Sequence, residues 1–174
     1  IERTNQTNSV LFKKGNYIEL GLGTVRPKVS GEGDTTGYNY DDVANEFTQK
    51  EFRAKIDIND RLSFGIILGQ PFGADIKYSG NPATTELGGT KLFAGVNAQT
   101  FILKYQVTEN ASVFGGLRRQ KASADITLDG TTFGGTLTVL PPAAGSTVVS
   151  AGASGYNIEL QDEVGTGYTV GAAY

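Results

Sequence analysis

Four cations sit where residue type and spacing could do chemistry. Arg53 and Lys55 share one parity of the run Glu51 to Ile58 with Glu51 and Asp57, while Phe52, Ala54, Ile56 and Ile58 hold the other. Successive side chains of a strand point to opposite faces, so this run has a charged face and an apolar face. Lys104 and Arg118 fall on the same inner parity of two later runs. On facing strands, Glu19, Glu51 and Asp57 are the carboxylates that would pair with these cations. Covalent chemistry is not expected. The chain has no Cys and no His, which removes thiol and imidazole catalysis and the ordinary zinc, copper and haem sites. Serines and carboxylates remain, but no nucleophile and base can be assembled from them. Asn39, Asp41 and Asp42 offer oxygen ligands of the kind calcium takes, at a spacing unlike an EF-hand loop, so this stretch reads as a solvated surface loop. The sequence therefore implies no enzyme, no cofactor and no metal. A net charge of −3 argues against nucleic acid as a partner.

The elements that must position these residues are strands. After the alternating run comes Asn59-Asp60, a turn signal, and Leu62, Phe64, Ile66 and Leu68 then resume on one parity: a β-hairpin. The pattern returns downstream, where Phe101–Val107 leads through Thr108–Ser112 into Val113–Arg118. Earlier, Ser9–Phe12 reads as a short strand. Tyr17–Val25 reads as a second strand, with Ile18, Leu20 and Leu22 outward and Tyr17, Glu19, Gly21 and Gly23 inward. Pro71 lacks an amide donor and is expected to end regular pairing. In the strand from about Ser112 to Leu128 the apolar parity changes between Leu117 and Ile126, which predicts a bulge or an exit from the bilayer. The last strand, Gly165 to Tyr174, sets Tyr168, Val170, Ala172 and Tyr174 on one face. About seven strands result, in one domain over residues 1–174.

Short turns alternate with long loops at Ser30–Asn45, Ser79–Gly89 and Gly130–Ile158, and the last of these carries no charge. No run approaches the roughly 20 apolar residues of a membrane helix. A soluble β-sandwich binding module also alternates. Three features favour an all-β, antiparallel transmembrane β-barrel: the loop asymmetry, the polar faces carrying Arg53, Lys55, Lys104 and Gln106, and the aromatics Phe52, Phe64, Phe101, Tyr105 and Tyr174 on the opposite, lipid-facing parity. Strands in lipid must satisfy their backbone internally, which requires closure.

Gly15–Leu20, Ile58–Ser63, Gln70–Asp75 and Leu103–Arg118 together resemble the long-chain fatty acid transporter family of outer-membrane proteins, the FadL type. Gln70-Pro71-Phe72-Gly73-Ala74-Asp75 and Phe114-Gly115-Gly116-Leu117-Arg118 are the more specific pieces. The likeness covers most of residues 9–128 and resumes at Gly165, whereas Gly130–Ile158 matches in position only. The resemblance implies a fourteen-stranded barrel with an N-terminal plug, of which this chain would supply about half, without the plug. It implies a bacterial outer-membrane location and passive movement of long-chain fatty acids or other hydrophobic molecules, with membrane lipid as the surrounding partner. By the same analogy, an acyl chain would meet an apolar groove among the outer loops, for which Phe133, Leu137, Val139 and Leu140 are the candidates. A carboxylate would then seek an inward cation among Arg53, Lys55, Lys104 and Arg118, unless these only pair with neighbouring acids. The alternative is a complete, small eight-stranded outer-membrane barrel with a structural or adhesive role, to which the aromatic C-terminal pattern would also suit.

Overall fold

A computed structural model describes residues 2–3, 6–134, 136–138, 148–150 and 152–174. One antiparallel sheet dominates it. Its strands are β1 (Tyr17–Val25), β4 (Phe47–Asp57), β5 (Leu62–Lys77), β6 (Lys91–Gln106), β7 (Ser112–Leu128) and β10 (Tyr156–Ala173), hydrogen-bonded in that order. Two ribbons stand apart from it: β2 (Gly31–Glu32) with β3 (Asn39–Tyr40), and β8 (Thr136–Thr138) with β9 (Val148–Ser150). Among the described residues β1 and β10 do not pair, so the six long strands form an open wall rather than a closed eight-stranded barrel.

Ser9–Phe12 is not the strand its apolar run suggested. It is a 3₁₀ helix lying on the inner face of the sheet. Leu11 is 0% exposed and clusters with Val10, Ile67 and Ile102, against Tyr17 and Phe114. This contact explains a glycine. A Cβ on Gly65 would lie 2.5 Å from Leu11 Cδ2, so only glycine lets the helix seat that closely.

The turns have side-chain causes. Asn59 Oδ1 accepts from Arg61 N at 3.0 Å and Leu62 N at 2.9 Å, closing residues 58–61. Thr108 Oγ1 accepts from Ala111 N at 3.0 Å and does the same for residues 107–111. These short turns share one end of the wall. The connections 26–46, 78–90 and 129–155 share the other, which is the asymmetry of outer-membrane barrels.

Three sequence expectations change. Pro71 does not end β5: the strand bulges between Gly69 and Phe72 and runs on to Lys77, with Pro71 buried in the bulge. No bulge lies between β7 and β6, whose register is unbroken. The irregularity falls in β10, between Leu160 and Glu163. The last strand also starts earlier than expected, at Tyr156. The outward face is as anticipated. Ile18, Leu20, Leu22, Ile56, Phe101, Leu103, Tyr105, Leu117, Tyr168, Val170 and Tyr174 are exposed, and Phe64 stacks on Phe101 with centroids 6.5 Å apart. Exposed apolar side chains on one whole face of a sheet match a wall bathed in lipid.

Candidate functional site: the inner polar track and an opening in the wall

All four inward cations reach the inner face, where register sets their neighbours. Glu19 pairs across β1–β4 with Arg53, Tyr17 with Lys55, and Ser63 across β5–β6 with Lys104. Arg53 bonds Glu19 at 3.3 Å and Glu51 at 2.5 Å, with its side chain only 9% exposed. Lys55 Nζ meets Asp57 at 2.7 Å and donates to the carbonyls of Lys13 (2.8 Å) and Gly15 (3.1 Å). Ser63 Oγ donates to the same oxygen, Asp57 Oδ1, at 2.7 Å. Arg53 and Lys55 are thus neutralised by acids on the same face, Glu19 from the facing strand and Glu51 and Asp57 from β4 itself. Lys104 lies 5.7 Å from the Phe12 ring centroid and lines, with Lys55, Asp57, Arg61 and Gln106, a polar cavity of about 350 Å³ near the turns.

Arg118 is different. It lies further towards the loops, and both its partners are amides. Its Nη2 donates to Gln6 Oε1, and with the Gln120 amide oriented oxygen-first its Nε and Nη2 donate at 3.0 and 2.9 Å. Among the described residues no carboxylate neutralises it.

The wall itself parts between β4 and β5. These strands pair only from Phe52↔Leu68 to Asp57↔Ser63. Beyond that rung, β4 pairs only with β1 and β5 only with β6. The bulge at Pro71 carries β5 away from its neighbour. Two backbone segments fill the gap. Glu2 bridges Phe72, and Arg3 N donates to Pro71 O at 2.7 Å while its own carbonyl accepts from Gln49. Arg3 stacks on Phe47 at 4.0 Å and presses on Gly73, where a Cβ would lie 2.4 Å from the guanidinium carbon. At the loop end Ala44 bridges Ile76, with Asn45 N to Asp75 O at 2.9 Å. Beside this gap a cavity of about 520 Å³ is lined by Leu20, Leu22, Phe52, Leu68, Gly69 and Gln70, among others. Residues of both parities line it, Leu20, Leu22, Phe52 and Leu68 from the outer face and Gly21, Glu51, Gly69 and Ala98 from the inner one. Sequence reasoning missed this opening, although Gln70-Pro71 broke the alternation at that point.

At the mouth, three loops interlock around Glu86. Its carboxylate accepts from Thr35 N (2.9 Å), Thr36 N (2.6 Å), Thr36 Oγ1 (2.5 Å) and Tyr40 Oη (3.3 Å). These donors, led by the Thr36 hydroxyl, hold its pKa at about 2. Tyr38, Tyr40 and Tyr78 stack edge to face, 5.0 and 5.3 Å apart, and Thr132 N donates to Glu86 O at 3.0 Å. The stretch read as a solvated loop is thus a docked ribbon, and Asp41 and Asp42 gather no metal cluster among the described residues. Of the apolar candidates, Phe133 follows the Gly130 turn and is half-buried, and Leu137 belongs to β8. Val139 and Leu140 lie outside the described residues.

An open antiparallel wall, apolar outside, polar inside and looped at one end, defines an outer-membrane β-barrel protein. A family model described as outer membrane protein transport protein (OMPP1/FadL/TodX) matches residues 5–174, and the chain belongs to that family, whose members reside in the outer membrane. Among solved structures, a Pseudomonas aeruginosa FadL homologue shares the fold, with a TM-score of 0.52 and 16% identity over 90% of this chain. The chain spans 38% of that protein's length. No curated protein matches it in sequence.

Proposed function

We propose that the protein carrying this chain passes hydrophobic molecules, long-chain fatty acids among them, passively across the outer membrane. The observation that carries this reading is the opening between β4 and β5. It joins a polar interior to the lipid-facing side beside an apolar cavity, and it is filled by two short segments rather than by a strand. An apolar chain gains about 0.8 kcal/mol per buried CH₂, so Leu20, Leu22, Phe52 and Leu68 of the cavity can hold part of an acyl tail. In this reading the ligand first meets the outer loops, where Phe133, Leu137, Val139 and Leu140 supply apolar surface. Arg118 then receives the carboxylate, because a guanidinium fork facing only amides has charge to offer. Arg53, Lys55 and Lys104 line the route, and for the first two ion pairing outweighs ligand contact.

The test is uptake of a fluorescent long-chain fatty acid by liposomes containing the intact protein. Gly69→Trp, which fills the cavity, is expected to cut uptake several-fold while the heat-modifiable gel shift of the folded barrel is kept. Equal uptake by liposomes with and without the protein would remove the proposal.

A further inference from the structure

We propose that the outer surface of β6 and β7 binds the phosphate group of a lipid in the outer leaflet. Four polar side chains form a lattice on the lipid-facing parity: Gln99 stands directly opposite Arg119, and Asn97 opposite Lys121. Directly opposed residues have Cβ atoms about 5 Å apart, so the two cations and two amides share one small patch. Gln70 Nε2 extends it, donating to Asn97 Oδ1 at 3.3 Å.

Position and charge select the occupant. The patch borders Phe101, Leu117 and Tyr168, all exposed, and lies on their loop side. Long loops of outer-membrane barrels face the exterior, so that side meets the outer leaflet. A cation on the lipid face costs about 2–4 kcal/mol at the midplane and about 0–1 near the interface, so Arg119 and Lys121 favour an anionic headgroup beside them. Arg119 is exposed and has no acidic partner among the described residues. Lys121 meets Asp162 at 2.5 Å, but both ends are half open to solvent, and exposed pairs contribute little. Asp162 sits in the β10 bulge, the irregular stretch between Leu160 and Glu163. A guanidinium fork, an ammonium and amide donors suit a phosphate, while the apolar neighbours suit the acyl chains attached to it. A soluble anion would use only the first half of this surface.

Native mass spectrometry of the intact protein tests the assignment, with diphosphoryl lipid A, phosphatidylcholine and inorganic phosphate as separate probes. The wild type is expected to retain lipid A. Arg119→Gln with Lys121→Gln should lower that retention by roughly twenty-five-fold, since each surface cation adds a factor of about five. Phosphatidylcholine adducts should change less, because choline offsets the charge of their single phosphate. Asp162→Asn frees Lys121 and should raise lipid A retention, giving a second reading if the double variant folds poorly. Equal lipid A retention by wild type and variants would overturn the proposal. So would inorganic phosphate binding that depends on these residues without lipid A retention.

Discussion

The two halves of the β4–β5 seam are built on different principles. Towards the turns the strands are zipped by direct rungs from Phe52↔Leu68 to Asp57↔Ser63, backed by Leu11 on Gly65 and by the ion pairs of Arg53 and Lys55. Towards the loops the same strands separate, and Glu2, Arg3 and Ala44 make the contacts a strand would have made. The zipped half can be disturbed only by breaking cooperative packing. In the parted half a few local hydrogen bonds can exchange without disturbing the rest of the wall, as expected where a path must open.

Variants should separate the halves. The largest stability effect is expected at Leu11. Leu11→Ala empties a fully buried site and should destabilise the intact protein by about 2–4 kcal/mol, read from thermal unfolding in detergent. Arg53→Leu leaves Glu19 and Glu51 facing each other and should cost about 2 kcal/mol by the same assay. A change in the parted half should behave oppositely. Gly73→Val displaces the Arg3 side chain and should alter stability by less than about 1 kcal/mol while raising fatty acid uptake, because the segment that fills the gap loses its seat. If Gly73→Val unfolds the wall as Leu11→Ala does, the halves are not distinct.

The smallest effect is expected at the mouth. Glu86 has a carboxyl held at about 2 against an ordinary 4.5. A depressed folded pKa stabilises above the unfolded value and ceases to do so as pH falls. The docking of residues 33–40 should therefore be intact above about pH 4.5 and weaken as pH drops towards 2, seen as faster hydrogen exchange there. Glu86→Gln should show the loosened state at neutral pH.

Most of the wall was legible because a half-buried strand writes its faces into alternate residues. Arg53, Lys55, Glu19 and Asp57 met as their parity required, and Tyr168, Val170 and Tyr174 faced outward. What alternation cannot express was not legible. Ser9–Phe12 carries apolar residues for an inner surface, and four residues do not separate a strand from a 3₁₀ turn. Pro71 signalled a break, but whether a strand ends or bulges there depends on what its freed neighbours can pair with. Here these are Arg3 and Ala44, distant in sequence. Arg118 stood out from the other three cations only once its amide partners were visible.

The opening between β4 and β5 can be tested by locking it. Glu2 and Phe72 are antiparallel bridge partners, a spacing that accepts a disulfide, and the chain has no cysteine to interfere. Fatty acid uptake by the intact Glu2→Cys, Phe72→Cys protein should be low when oxidised and recover on reduction, with the folded-barrel gel shift the same in both states. Uptake equal in the oxidised and reduced protein would contradict passage through this opening.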